Sequence, residues 1–202
     1  MSAETIIPII TALIASGTTL GVIWLKYFLK QRAITAKEGP IEKCVGEDVE
    51  IIENLKEISK ELGADRVSIF SFHNGGQYYS GKSMQKMSIS YEVVSEGIAS
   101  IQLEKQNIPV SACVTTLKPL VDYGEFHCCD IKDYPEGLCK YHLLKDGVRS
   151  TYQYAIMDLE DKAIGMVRMD YIKKGKWLND EEFETLRIFS LKLPGYLMSK
   201  TK

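Results

Sequence analysis

The chain opens on an apolar stretch and then alternates between helical and extended patterns. Thr5 to Leu25 carries no charged side chain; about 20 such residues, wound as a helix, cover the ~30 Å hydrocarbon core of a bilayer. Asp48 to Leu62 instead sets Val49, Ile52, Leu55, Ile58 and Leu62 three and four apart, one face of an amphipathic helix that stops at Gly63. Arg66 to Phe72 alternates Val67 and Ile69 with Ser68, Phe70 and Phe72, which predicts a strand ended by Asn74-Gly75-Gly76. Lys86 to Ser95 alternates again, with Met87, Ile89, Tyr91 and Val93 expected on one face. Met84, Met87, Tyr91, Val94, Ile98 and Ile101 also recur at helical spacing, but the β-branched and aromatic content around Ile89, Tyr91 and Val93-Val94 favours a strand.

The second half is less regular. Ile108 to Tyr123 reads as mixed, with a short helix interrupted by Pro119, and Glu125 to Ile131 as a short strand before the Asp133-Tyr134-Pro135 turn. Leu138 to Leu144 predicts a short helix that stops at Gly147. Val148 to Met157 and Ala163 to Tyr171 are β-rich runs joined by polar Asp158 to Lys162, a hairpin at the centre of the sheet. Asn179 or Asp180 then caps a helix carrying Phe183, Leu186, Phe189 and Leu193, expected to end before Pro194-Gly195. This order implies an α+β fold: an antiparallel sheet of about five or six strands, flanked by N- and C-terminal helices and preceded by one transmembrane helix.

Charge gives the apolar run a direction. Lys26, Lys30, Arg32 and Lys37 follow it and Glu4 precedes it, so the positive-inside bias puts the C-terminal domain in the cytosol of a single-pass inner-membrane protein. A cleaved signal peptide fits less well, because the leading segment lacks Lys and Arg and the apolar run is long. Gly17 and Gly21 form a small-xxx-small pair through which two helices could associate as a homodimer. The expected organisation is an anchor over residues 1–29, a juxtamembrane linker over 30–46 and a soluble domain over 47–202.

Composition narrows the partners. A net charge of −2 over 202 residues gives no basic footprint, so nucleic acid is not an expected partner. Cys44, Cys113, Cys128, Cys129 and Cys139 are an odd set without disulfide-framework spacing, which suits a reducing compartment.

Several clusters carry candidate chemistry. Gly76, Gly81, Lys82 and Ser83 satisfy the phosphate-loop pattern G-x-x-x-x-G-K-[ST], with Asp158 or Asp170 as the available magnesium partner. A working phosphate loop needs a helix to begin at Ser83, and the expected strand there makes it a hairpin turn instead. His127, Cys128, Cys129, Cys139 and His142 are the cluster with metal-ligand chemistry, but adjacent cysteines on a strand point to opposite faces, and no metal or cofactor is expected. Phe70, Phe72, Tyr78, Tyr79 and Tyr91 are either core or pocket wall. His73 has no nucleophile and orienting group assignable to it, so no enzyme activity is expected.

The entry ELGADRVSIFSFHNGG, the returning hairpin DGVRSTYQYAIMDLEDKAIGMVRMDY and the closing WLNDEEFETLRIFS, in that order, resemble the GAF domains, sensing modules related to PAS domains. The resemblance covers about Glu47 to Leu197. It implies a small-ligand site between the sheet and the irregular segment from Tyr91 to Tyr141, with Phe72, His73, Tyr91, Cys128, Cys139 and His142 as candidate pocket residues. Bilin-binding members carry Cys-His in that segment; Cys139 is followed by Lys140 here, so bilin attachment is not implied. A fainter resemblance links YQYAIMDLEDKAIGMVRMDYIKKGKWLNDEEFETL to the tail of the T-even phage holins, an alternative in which the protein permeabilises the inner membrane by oligomerising. Those holins present their domain to the periplasm, opposite to the orientation that Lys26 to Lys37 imply. The leading expectation is a membrane-anchored, non-enzymatic sensory or interaction module that binds a small ligand or a protein partner.

Overall fold

The computed structural model describes residue 21, residues 24–27 and residues 40–198. Helix α1 (Pro40–Leu62) leads into strands β1 (Arg66–Gln77) and β2 (Ser83–Val94). A short β3 (Ile108–Pro109) follows, then a 3₁₀ turn (Val110–Cys113), helix α2 (Val114–Tyr123) and strand β4 (Glu125–Cys128). Helix α3 (Leu138–Lys145), strands β5 (Ser150–Met157) and β6 (Ala163–Tyr171) and helix α4 (Asp180–Met198) complete the domain. The strands form one six-stranded sheet in the order β3-β2-β1-β6-β5-β4, antiparallel at every pairing. Among the described residues, 48–198 group as one compact unit.

Strand alternation divides the core in two. Val67 and Ile69 of β1, Val167 and Met169 of β6 and Tyr152 and Ile156 of β5 face α1 and α4, where they pack with Ile51, Leu55, Leu186 and Leu193. Phe70, Met87, Ile89, Ala155 and Met166 face the other way, under Leu117 and Leu120 of α2. The closing hairpin and both long helices form, but the buried face of α1 is shifted from the expected stripe: Val49 is exposed, and Ile51 enters the core with Leu55, Ile58 and Leu62. Asn179 caps α4 reciprocally: its Oδ1 accepts from the Glu182 N–H at 2.9 Å, and Glu182 Oε2 accepts from the Asn179 N–H at 3.0 Å.

Several boundaries differ from expectation. Residues 40–46, expected as linker, are already helical in α1. Strand β1 continues through Asn74-Gly75-Gly76 to Gln77, because Gly76 takes φ of 101° and lets the pairing resume at Gln77 with Ser83. Helix α2 runs across Pro119 and α4 across Pro194; proline forfeits one intrahelical bond, and packing of Leu117, Leu120 and Leu193 into the core offsets it.

The phosphate-loop match is a hairpin. The Tyr78 N–H donates to the Lys82 carbonyl at 2.8 Å, the Gly81 N–H to the Tyr78 carbonyl at 2.8 Å, and Ser83 opens β2. No helix N-terminus follows Gly81 to supply converging amides, so Gly76, Gly81, Lys82 and Ser83 lack phosphate-loop geometry. Asp158 accepts from the Glu160 and Lys162 N–H groups of its own turn, and Asp170 is buried in the sheet.

Among the described residues, no helix is long and apolar enough to cross a membrane. Gly17 and nearly all of the expected anchor lie outside them; Gly21 is helical and exposed.

Candidate functional site

The face of the sheet turned away from α1 and α4 is unusually polar. Arg66 and Ser68 of β1, Thr151 and Gln153 of β5 and Arg168 and Asp170 of β6 all stand on it and are buried. Register places them side by side: Arg66 pairs with Asp170, Ser68 with Arg168, Gln153 with Arg168 and Thr151 with Asp170. Buried charge needs partners, and here it has them. Asp170 Oδ1 accepts from the Thr151 hydroxyl at 2.8 Å and Oδ2 from Arg168 Nε at 3.1 Å, while Arg66 Nη1 lies 3.5 Å from the same carboxylate.

Arg66 and Glu92 also tie down the segment after β2. Arg66 Nη2 donates to the Ala99 carbonyl at 3.0 Å; the Glu92 carboxylate accepts from the Ile101 and Gln102 N–H groups and from the Ser100 hydroxyl. That segment returns to the sheet edge, where the Ile89 N–H donates to the Lys105 carbonyl at 3.1 Å. Lys105 is thereby carried into the interior.

A cavity of about 40 Å³ lies between this polar face and its cover. Its floor is Phe70, Met166, Gln153 and Arg168; Leu117 and Thr116 of α2 and Cys113 form one wall, and Leu138, Cys139, His142 and Leu143 of α3, with Asp146 beyond it, form the other. His142 and Asp146 are four residues apart at the end of α3, so they share a face. Lys105 Nζ reaches both, at 2.9 Å from Asp146 Oδ2 and 3.3 Å from His142 Nδ1. Lysine has donors alone, so Nδ1 accepts and the neutral ring carries its proton on Nε2. Burial, then the Lys105 charge, push the His142 pKa below its ordinary value, so the ring is neutral at pH 7. Burial raises the Tyr134 phenol, against hydrogen bonds from Thr116 and Gln153 that pull it back. Arg168 Cζ sits 4.8 Å above the Phe70 ring, a cation–π contact that fixes the guanidinium at the cavity floor.

The structure brings only part of the expected pocket together. Cys139 and His142 line the cavity. Phe72 packs at the edge of the same apolar cluster, and Cys128 belongs to a neighbouring cluster with Ile131 and Tyr134, where burial raises its thiol pKa. Tyr91 faces the helices instead, donating to Asp48 of α1 at 2.7 Å, and His73 bonds Ser88 across the β1–β2 hairpin at 2.9 Å. Lys105, Asp146, Gln153, Arg168 and Tyr134, which the expected pocket does not include, also line the cavity. A usable signal existed for Gln153 and Arg168: polar residues at inward positions of β-rich runs.

The metal-ligand cluster is dispersed. His127 stands on the helix side, stacked on Tyr152 and edge-on to Phe183. Cys139 forms a disulfide with Cys113 across 26 residues, a departure from the reduced cysteines expected. Cys44, Cys128 and Cys129 are free thiols, and the described residues contain no group of three or more ligands placed to hold a metal ion.

Solved structures share this architecture. A far-red cyanobacteriochrome photoreceptor superposes with a TM-score of 0.63 at 13% identity, covering 87% of this chain and 99% of that one. The fold is that of a GAF domain. The PixJ GAF domain of Thermosynechococcus elongatus (TM-score 0.60, 14% identity, 79% of this chain and 91% of that one) is similar. So is the phycocyanobilin-bound GAF domain of a cyanobacterial phytochrome (0.60, 19% identity, 85% and 95%). No family model and no curated protein matches the chain, so the likeness to phage holins gains nothing from these comparisons.

Proposed function

We propose that this chain is a non-enzymatic sensory module with a GAF fold that binds a small molecule in the cavity beneath α2 and α3. The observation that carries this reading is the cavity on the polar sheet face, which the buried side chains of Lys105, Asp146 and Arg168 line together. Its charged groups are committed to one another as ion pairs, an arrangement suited to recognition by fixed hydrogen bonds. The bilin bound by structural neighbours is not the ligand proposed. A thioether bond needs a free thiol, Cys139 is bridged to Cys113, and about 40 Å³ holds roughly three waters.

The test is a thermal-shift screen of the full chain against small polar metabolites, repeated with Leu117→Phe, which fills the cavity from α2. Ligands that raise the melting temperature of the wild type are expected to leave the variant unmoved. Equal shifts in both proteins, or none in the wild type, would overturn the reading.

We further infer from the charge-free run and from the basic residues after it that the module is held at the cytosolic face of a membrane. Paired anchors meeting at Gly17 and Gly21 would then let ligand occupancy act through association. A reporter fused after Lys202 is expected to be active only when it is a cytosolic one; periplasmic activity would exclude this orientation.

A further inference from the structure

Two residues that line the cavity each carry a buried polar atom without an aligned hydrogen bond. Arg168 Nη2 is buried and lies 3.1 Å from Asp170 Oδ2, close enough for an ion pair but without an aligned hydrogen bond. Asp146 Oδ2 is likewise buried, 2.9 Å from Lys105 Nζ, and also lacks an aligned hydrogen bond. Buried polar atoms are nearly always satisfied by protein or by something bound. One donor and one acceptor, on residues that line the same cavity, are thus left to be satisfied.

The charges around that space cancel. Lys105 is matched by Asp146 and Arg168 by Asp170, and His142 faces them as a neutral ring that already accepts from Lys105. A ligand with a net charge would leave that charge uncompensated inside the protein, where solvation is lost and no counter-ion stands free. The volume of about 40 Å³ accommodates roughly three waters or a group of that size. Phe70 and Met166 supply apolar surface on which a flat group can lie.

We propose that the cavity takes a compact group with no net charge that offers an acceptor to Arg168 and a donor to Asp146, as an amino-acid zwitterion or a carboxamide does. The inference rests on the ligand-binding reading above and adds the chemical class of the ligand. Arg168, pinned over Phe70, recognises the carboxylate or carbonyl; Asp146, set by the last turn of α3, recognises the ammonium or amide N–H. The loop held by Arg66 and Glu92 keeps Lys105 against Asp146, so the acceptor is oriented before the ligand enters.

The test uses four probes on the full chain at matched ionic strength: glycine, acetamide, acetate and methylammonium. Binding is followed by the NMR signals of Phe70, Leu117 and Met166. Glycine or acetamide is expected to bind about tenfold more tightly than acetate or methylammonium, each of which satisfies one of the two unsatisfied atoms. Asp146→Asn leaves Lys105 without its counter-charge, so in that variant acetate is expected to overtake glycine. Acetate binding the wild type as tightly as glycine and acetamide would replace the proposed class with an anion site and leave the ligand-binding reading standing. If none of the four moves these signals, water alone fills the cavity and the class is wrong. The metabolite screen with Leu117→Phe then decides the broader reading separately.

Discussion

Asp170→Asn is expected to cost about 3–5 kcal/mol of folding stability, because one carboxylate serves two buried guanidinium groups. Asp170 is fully buried; it accepts from Thr151 and Arg168 and lies within ion-pair distance of Arg66. Asparagine keeps the shape but removes the charge, and its amide N–H₂ would face donors. Glu92 alone, 3.3 Å from Arg66 Nε, would then balance both arginines, leaving an uncompensated positive charge in the sheet. Urea unfolding at neutral pH measures the loss. Thr151→Val is the control, since it deletes one neutral donor to the same carboxylate and should cost about 1 kcal/mol. Equal effects from the two substitutions would show that the hydrogen bond, and not the charge balance, is what Asp170 contributes.

Phe70→Ala is expected to cost about 3–5 kcal/mol as well, by a different route. The ring is fully buried between Met87, Ile89 and Met166, forms part of the cavity floor and carries the Arg168 guanidinium on its face. Truncation removes its transfer free energy, leaves a void in a rigid sheet and frees Arg168 from its stacking surface. The space vacated by the ring, bounded by Met87, Ile89 and Met166, is expected to admit a small apolar probe such as benzene, as apolar voids do. Denaturant melts with and without benzene read both effects. A loss well below 2 kcal/mol with no benzene stabilisation would mean that α2 collapses onto the sheet and closes the void.

These two residues differ in how plainly the sequence announces them. Phe70 lies in the alternating run that predicts β1, so burial on one face follows from period alone. Asp170 ends an apolar run and reads from sequence only as an available magnesium partner; its partners come from β1 and β5, at sequence distances no local pattern spans. The expected pocket shows the same limit. Met87, Ile89, Tyr91 and Val93 alternate as if on one face, yet the register slips where Ile69 pairs with Tyr91 and Phe70 with Ile89. That bulge adds a residue at Ser90, so Met87 and Ile89 stay under α2 while Tyr91 and Val93 turn to the helices. One inserted residue thus removes Tyr91 from the cavity side. Cys139 and His142 were reachable because the GAF resemblance places the ligand site in the irregular segment, where Leu138 to Leu144 reads as a short helix stopping at Gly147. Cys113, far away in sequence, could not be paired with Cys139 from spacing.

The sequence by itself determined the α+β class, the antiparallel hairpin centre, the two long helices and the turn at Gly81, because periodicity, capping and glycine act within a few residues. Tertiary structure alone decided which strand lies beside which, and hence that Arg66, Arg168 and Asp170 share charge. It also decided that Lys105, Asp146 and Arg168 meet around one cavity. Those contacts join residues tens of positions apart, and their chemistry exists only after the chain has paid the entropy of bringing them together.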